Sequence, residues 1–102
     1  MSFAVRFTEE AEADLLRLYD FILERDDSDW DLAQRALQAI KDGLQTLAST
    51  PFTCRKMTSS NPFLRELVIP FGSSGYVALF EIDSEEWVTV LAVRHQREED
   101  YH

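Results

Sequence analysis

Phe3, Val5 and Phe7 alternate with Ala4 and Arg6, a period of two that predicts a strand over residues 2–8. The period then lengthens. Ala11, Leu15, Leu18 and Ile22 recur at spacings of four, three and four, with Leu16, Tyr19 and Leu23 widening the stripe. That spacing predicts an amphipathic helix to about Glu24. Thr8 stands where an N-cap is needed, and Glu9, Glu10 and Glu12 fill the first turn, where the helix dipole favours acids.

Arg25-Asp26-Asp27-Ser28-Asp29 interrupts the stripe, and Ser28 or Asp29 can cap a second helix. Ala33, Leu37, Ile40, Leu44 and Leu47 then repeat at helical spacing up to Thr50-Pro51. The residue before a proline avoids helical geometry, so the second helix should stop there. The short break makes the two helices antiparallel neighbours.

Residues 51–63 hold prolines, serines and the basic pair Arg55-Lys56, and read as a loop. Three strand-like runs come next: Leu64 to Phe71, Tyr76 to Ile82 and Trp87 to Val93. Gly72-Ser73-Ser74-Gly75 and Asp83-Ser84-Glu85-Glu86 separate them, and two tight turns argue for an antiparallel meander. Tyr76 to Ile82 is apolar on both parities, as in a central strand. The fold expected is α+β, in the order β-α-α-β-β-β. It is a twisted antiparallel sheet with the helical hairpin on one face, since two amphipathic helices need one sheet face to cover them.

Composition narrows the classes. At 102 residues and 45% apolar, the chain should form one domain, residues 1–102, with a real core. No apolar run reaches the roughly 20 residues of a membrane helix, and no basic segment precedes an apolar one at the start. A cytoplasmic protein is expected, without membrane contact. The single cysteine, Cys54, fits a reducing compartment and reads as a small loop residue rather than a reactive thiol. Net charge is −9. Residues 1–50 carry five Lys/Arg against eleven Asp/Glu, and residues 51–102 carry five against eight, so the acid load lies mainly in the first half. Such a surface repels phosphate backbones, and direct nucleic-acid binding by the chain alone is not expected.

Candidate chemistry is sparse. His95 and His102 are seven apart and Cys54 is far from both, so no metal site is expected. No phosphate-binding glycine loop, nucleophile elbow or cofactor motif occurs. The densest polar cluster comes after the last strand: Arg94-His95-Gln96-Arg97-Glu98-Glu99-Asp100-Tyr101. Arg, His and Tyr together could stabilise phosphoryl charge and move protons. From the residues alone, the plainer reading is a solvated, ion-paired tail with His95 and Tyr101 packed on the sheet. Arg65-Glu66 reads as a surface ion pair. Tyr19, Phe21, Leu23 and Trp30 exceed one narrow stripe, so they either fill a small core or offer a second apolar face to a partner.

Several segments together carry a resemblance. They are the opening Phe3-Ala4-Val5-Arg6-Phe7-Thr8, the helix element Ala11-Glu12-Ala13-Asp14-Leu15, and Leu44-Gln45-Thr46-Leu47 shortly before Pro51. Leu64-Arg65-Glu66-Leu67 comes after them, then Gly75-Tyr76-Val77-Ala78-Leu79-Phe80-Glu81-Ile82 and the close Val90-Leu91-Ala92-Val93-Arg94-His95-Gln96-Arg97-Glu98. In this order and spacing, over nearly all of the chain, they resemble the RelE/ParE family of toxins from bacterial toxin–antitoxin pairs, including plasmid-stabilising members. The resemblance implies the same sheet and hairpin.

It also implies one of two activities. RelE-like members cleave messenger RNA on the ribosome, using basic sheet residues and a residue near the C-terminus. ParE-like members poison DNA gyrase. RelE-like nucleases tend to be very basic and often carry Arg directly after the Gly-Tyr of the third strand. Here that position is Val77, and Lys56 is the only lysine after Lys41. What remains of a nuclease set is Arg65, His95, Arg97 and Tyr101. The apolar Val-Ala-Leu-Phe strand and the His-Gln-Arg end look more like ParE. The resemblance thus implies a gyrase-inhibiting toxin neutralised by a cognate antitoxin, with no cofactor. The alternatives are a ribosome-dependent endoribonuclease acting on mRNA through those four residues, or a non-toxic binding or regulatory relative.

Overall fold

The structure, a computed structural model, describes residues 2–25 and 30–97. Strand β1 (Ala4–Phe7) leads into helix α1 (Glu9–Arg25), and helix α2 (Trp30–Gln45) comes next. Two short 3-10 turns, Thr46–Ala48 and Pro51–Thr53, stand at the end of the helical run. A two-residue strand β2 (Arg55–Lys56) precedes β3 (Leu64–Phe71), β4 (Ser74–Ile82) and β5 (Trp87–His95). The α+β class and the hairpin on a sheet are as the residue pattern implies. β2 adds one short strand inside the segment read as loop. The second helix's expected cap, Ser28 or Asp29, lies outside the described residues.

The sheet order is β1-β5-β4-β3-β2. β2, β3, β4 and β5 are joined antiparallel, but β1 pairs parallel with β5, Ala4 opposite Trp87 and Phe7 opposite Val90. The sheet is therefore mixed, which corrects the wholly antiparallel expectation. The physical reason lies in the connections. A tight turn forces antiparallel neighbours, whereas β1 is joined to the rest through two helices, enough chain for a parallel crossover.

Thr8 is the cap its position predicts: its Oγ1 accepts the Ala11 N–H at 3.1 Å. One sheet face carries Ile69, Tyr76, Ala78, Phe80, Ile82, Val88, Val90 and Val93. These meet Ala11 and Leu18 of α1 and Ala36, Ile40 and Leu44 of α2. Full burial of a ring such as Phe80 contributes about 1.5–3 kcal/mol, so this layer is the main stabilising contact. Leu16, which seemed to widen the α1 stripe, is 67% exposed on the outer surface, and Phe21 and Trp30 are exposed as well.

β4 is central, as its two-sided apolar pattern predicts. A register shift at Leu79/Phe80 places Leu79 opposite Ala92 but Phe80 opposite Val90, so Leu91 is the extra residue of a bulge. The bulge restores the inward parity of Val93 beyond Val90. Gly72, at φ 62°, supplies the left-handed turn between β3 and β4. Among the described residues, no helix is long and apolar enough to cross a membrane.

Candidate functional site

Arg65 is 8% exposed, on the helix-facing side at the start of β3. A buried guanidinium needs partners, and three backbone carbonyls supply them. Its Nε donates to Pro62 O at 2.8 Å, and its Nη1 donates to Phe52 O at 2.8 Å and Cys54 O at 2.7 Å. The guanidinium also lies over the Phe52 ring, 5.2 Å from the centroid. Arg65 thus clamps the 51–62 segment to the sheet. Glu66, on the opposite face, is equally buried and pairs with Arg55 across β2–β3. The surface Arg65-Glu66 ion pair is overturned: alternation along a strand sends neighbours to opposite faces.

His95 ends β5 opposite Tyr76, whose ring meets it edge-on at 5.4 Å. Its Nδ1 accepts the Arg97 N–H at 3.1 Å. Nε2 therefore carries the proton of the neutral ring and donates to Ser74 Oγ, 3.1 Å away. That tautomer is the wrong one for drawing a proton from Ser74. The pair closes one wall of a cavity of about 430 Å³ between the hairpin helices and the β3–β4 turn. Burial pushes the Tyr76 hydroxyl above its ordinary value.

Two of the proposed nuclease residues, Arg65 and His95, stand apart on the sheet. The strand partners of Arg65 and His95 are Phe80 and Tyr76, four residues apart on β4. At about 3.3 Å per residue, that is roughly 13 Å. Arg97 is exposed in the turn after β5, and Tyr101 lies outside the described residues. Arg94 points to the other face, with Nη1 donating to His95 O at 3.2 Å.

A further opening is mostly apolar. A groove of about 720 Å³ runs beside β1, walled by Phe3, Val5 and Phe7 on one side and by Leu15 of α1 and Leu37 and Leu44 of α2 on the other, with Lys41 at its rim. β1 is also the sheet's edge. The Ala4 and Thr8 N–H groups donate toward β5, to Glu86 O at 2.7 Å and Val90 O at 3.1 Å, and Phe3 N–H donates outward to Ala48 O at 2.7 Å. By alternation, the Val5 and Phe7 amides face the open edge. Apolar side chains beside an open strand edge suit an added helix or strand. Sequence reasoning missed this groove, because the same alternation that marks β1 as a strand cannot say which neighbours leave it uncovered.

The family model for the ParE toxin of the type II toxin–antitoxin system, parDE, matches residues 5–100. The chain belongs to the ParE toxin family. A solved structure described as the chromosomal ParDE TA system from P. aeruginosa superposes on this ParE-family chain with a TM-score of 0.72. The two are 20% identical, and the match covers 92% of this chain and 96% of that one, so the likeness concerns the fold. A search of curated proteins gives no match.

Proposed function

We propose that this ParE-family chain acts in the cytoplasm as the toxin of a toxin–antitoxin module, inhibits DNA gyrase by binding it, and is neutralised by a cognate antitoxin seated in the groove beside β1. Family membership supports the gyrase target. Favouring binding over hydrolysis is the separation of Arg65, spent on loop carbonyls, from His95, whose two ring nitrogens are already engaged. A net charge of −9 also disfavours an RNA backbone as the first partner. The antitoxin would present apolar anchors, and its binding segment would be relatively basic.

Expression without antitoxin should stall growth with filamentous cells and damaged DNA, and the purified protein should inhibit gyrase supercoiling. Prompt translational arrest with cleaved messages would instead favour a nuclease using Arg65, His95, Arg97 and Tyr101. Unimpeded growth would favour a non-toxic binding module. For the antitoxin complex, strong salt weakening with an acidic binding segment would contradict the basic-segment reading.

A further inference from the structure

Beyond the groove, on the other side of Phe3, lies a second opening of about 510 Å³. Phe3, Phe52, Phe63 and Ile82 form its floor, and Asp83, Ser84 and Glu85 its edge. Phe52 and Phe63 are 51% and 48% exposed, an unusual cost for two phenyl rings side by side. The rings are nonetheless ordered against one another. Phe3–Phe52 and Phe52–Phe63 both pack edge to face with centroids 6.4 Å apart.

The edge is acidic. No Lys or Arg occurs from residue 67 to residue 93, a stretch that includes Asp83, Glu85 and Glu86. Two of the nearby cations are committed elsewhere: Arg6 bonds Asp83 at 3.1 Å while lying over Trp87, and Arg65 holds the loop carbonyls from beneath Phe52; exposed Lys56 stands opposite Arg65 on β2, away from the 83–85 edge. Arg6 offsets part of the Asp83 charge, which leaves Glu85 and Glu86 as the exposed negative groups. Phenyl faces beside carboxylates favour a long cationic side chain, with its stem on the rings and its head at the carboxylates. The chain displays the same preference internally, with Arg65 over Phe52 at 5.2 Å.

We infer that the antitoxin segment in the β1 groove continues across Phe3, the residue common to both openings, and sets an Arg or Lys side chain on the Phe52–Phe63 shelf beside Glu85. This rests on the groove reading above and adds the partner's chemistry: an apolar stripe that ends in a cation. It also gives an acidic toxin an electrostatic attraction that apolar anchoring alone would not supply.

Two measurements separate the inferences. In the first, the isotopically labelled protein is titrated with N-acetyl-arginine amide and with N-acetyl-norleucine amide. The arginine probe should shift Phe52, Phe63 and residues 83–85 saturably, and Glu85→Lys should abolish the shifts. Equal response to both probes, or none to arginine, would overturn the cationic assignment. In the second, affinity for the full-length cognate antitoxin is measured for two exposed-residue variants that leave the core untouched. Lys41→Trp fills the groove mouth and should weaken binding strongly. Glu85→Lys should weaken it about tenfold at low salt, with the gap closing as salt rises. Weakening by Lys41→Trp alone retains the groove and removes the shelf. No effect of Lys41→Trp removes the groove reading itself.

Discussion

The backbone N–H of Val93 on β5 donates to Oδ2 of Asp14 on α1 at 2.9 Å, across 79 residues of sequence. Asp14 is 6% exposed, and its other oxygen lies 3.8 Å from Arg17 Nη2. The bond occurs where β1 has ended: Phe7 pairs with Val90, and among the described residues β5 runs on without a strand on that side. Thr8 continues the substitution, with Oγ1 donating to Leu91 O at 3.2 Å. The first turns of α1 thus stand in for the missing strand, and they fix the helix over the bulge.

Replacing Asp14 with Leu would leave the Val93 N–H buried without an acceptor. The cost should be about 1–3 kcal/mol, whereas Asp14→Asn, whose side-chain oxygen can still accept, should lose less. Urea unfolding midpoints distinguish the two. Equal loss in both would mean that charge, rather than acceptance from Val93, is what matters.

Gly75 and Gly43 make a second contrast. A Cβ on Gly75 would stand 2.2 Å from the Ile69 carbonyl oxygen, a backbone atom that cannot turn aside. A Cβ on Gly43 would meet only the Ile69 side chain, at 2.9 Å. Gly75→Ala should cost at least about 3 kcal/mol by overpacking, and Gly43→Ala about 1 kcal/mol or less after Ile69 shifts. In the helix interior, Ala also recovers roughly that amount in propensity. Thermal melts of the two variants give the ranking.

Arg65→Lys keeps the charge but loses the fork that serves three carbonyls. We expect a loss of about 2 kcal/mol. A second readout lies at Cys54, whose thiol is pushed up by burial, partly offset by the Arg65 charge. It should alkylate slowly at neutral pH in the native protein and faster in the variant, as the 51–62 segment loosens. Unchanged alkylation would show that Arg65 does not hold that segment.

Glu81 and Asp83 should respond to pH with opposite signs. Burial, together with the hydrogen bond to Asp83 and its charge, pushes Glu81 above the usual carboxylate range. Glu81 therefore subtracts stability above its raised value, and that loss is relieved as pH falls through it. Asp83 is held below its ordinary value, chiefly by the Thr89 hydroxyl and also by Arg6, against the opposing effect of burial. Its stabilisation is full above the ordinary Asp range and is lost as pH falls through the depressed value. At neutral pH Glu81→Gln should raise the melting temperature and Asp83→Asn should lower it. Both differences should vanish on acidification; a constant offset would rule out titration as their source.

The helical spacings of Ala11 to Ile22 and Ala33 to Leu47, and the two turns after Phe71 and Ile82, were enough to read the hairpin and the meander. Periodicity reports which face of an element is apolar, and turns report how neighbours are joined. Neither reports the direction of β1, whose partner lies some 83 residues away, from Ala4 to Trp87. Arg65 misled for a related reason. Charge on a strand usually means water, and only the fold brings the carbonyls of Pro62, Phe52 and Cys54 within its reach. His95 was legible as a polar end to β5, but its tautomer depends on Ser74 and the Arg97 amide, which no spacing announces.

The place of β5 between β1 and β4 has a temporal side. Translation makes β1 and both helices before residues 87–95 exist, and among the described residues β1 has no other strand to lie against. A chain still being made can gather its helices but cannot hold β1 at the sheet's margin. The cleft beside β1 is therefore completed only when β5 arrives, and a partner that reads this cleft meets chains whose sheet has already closed.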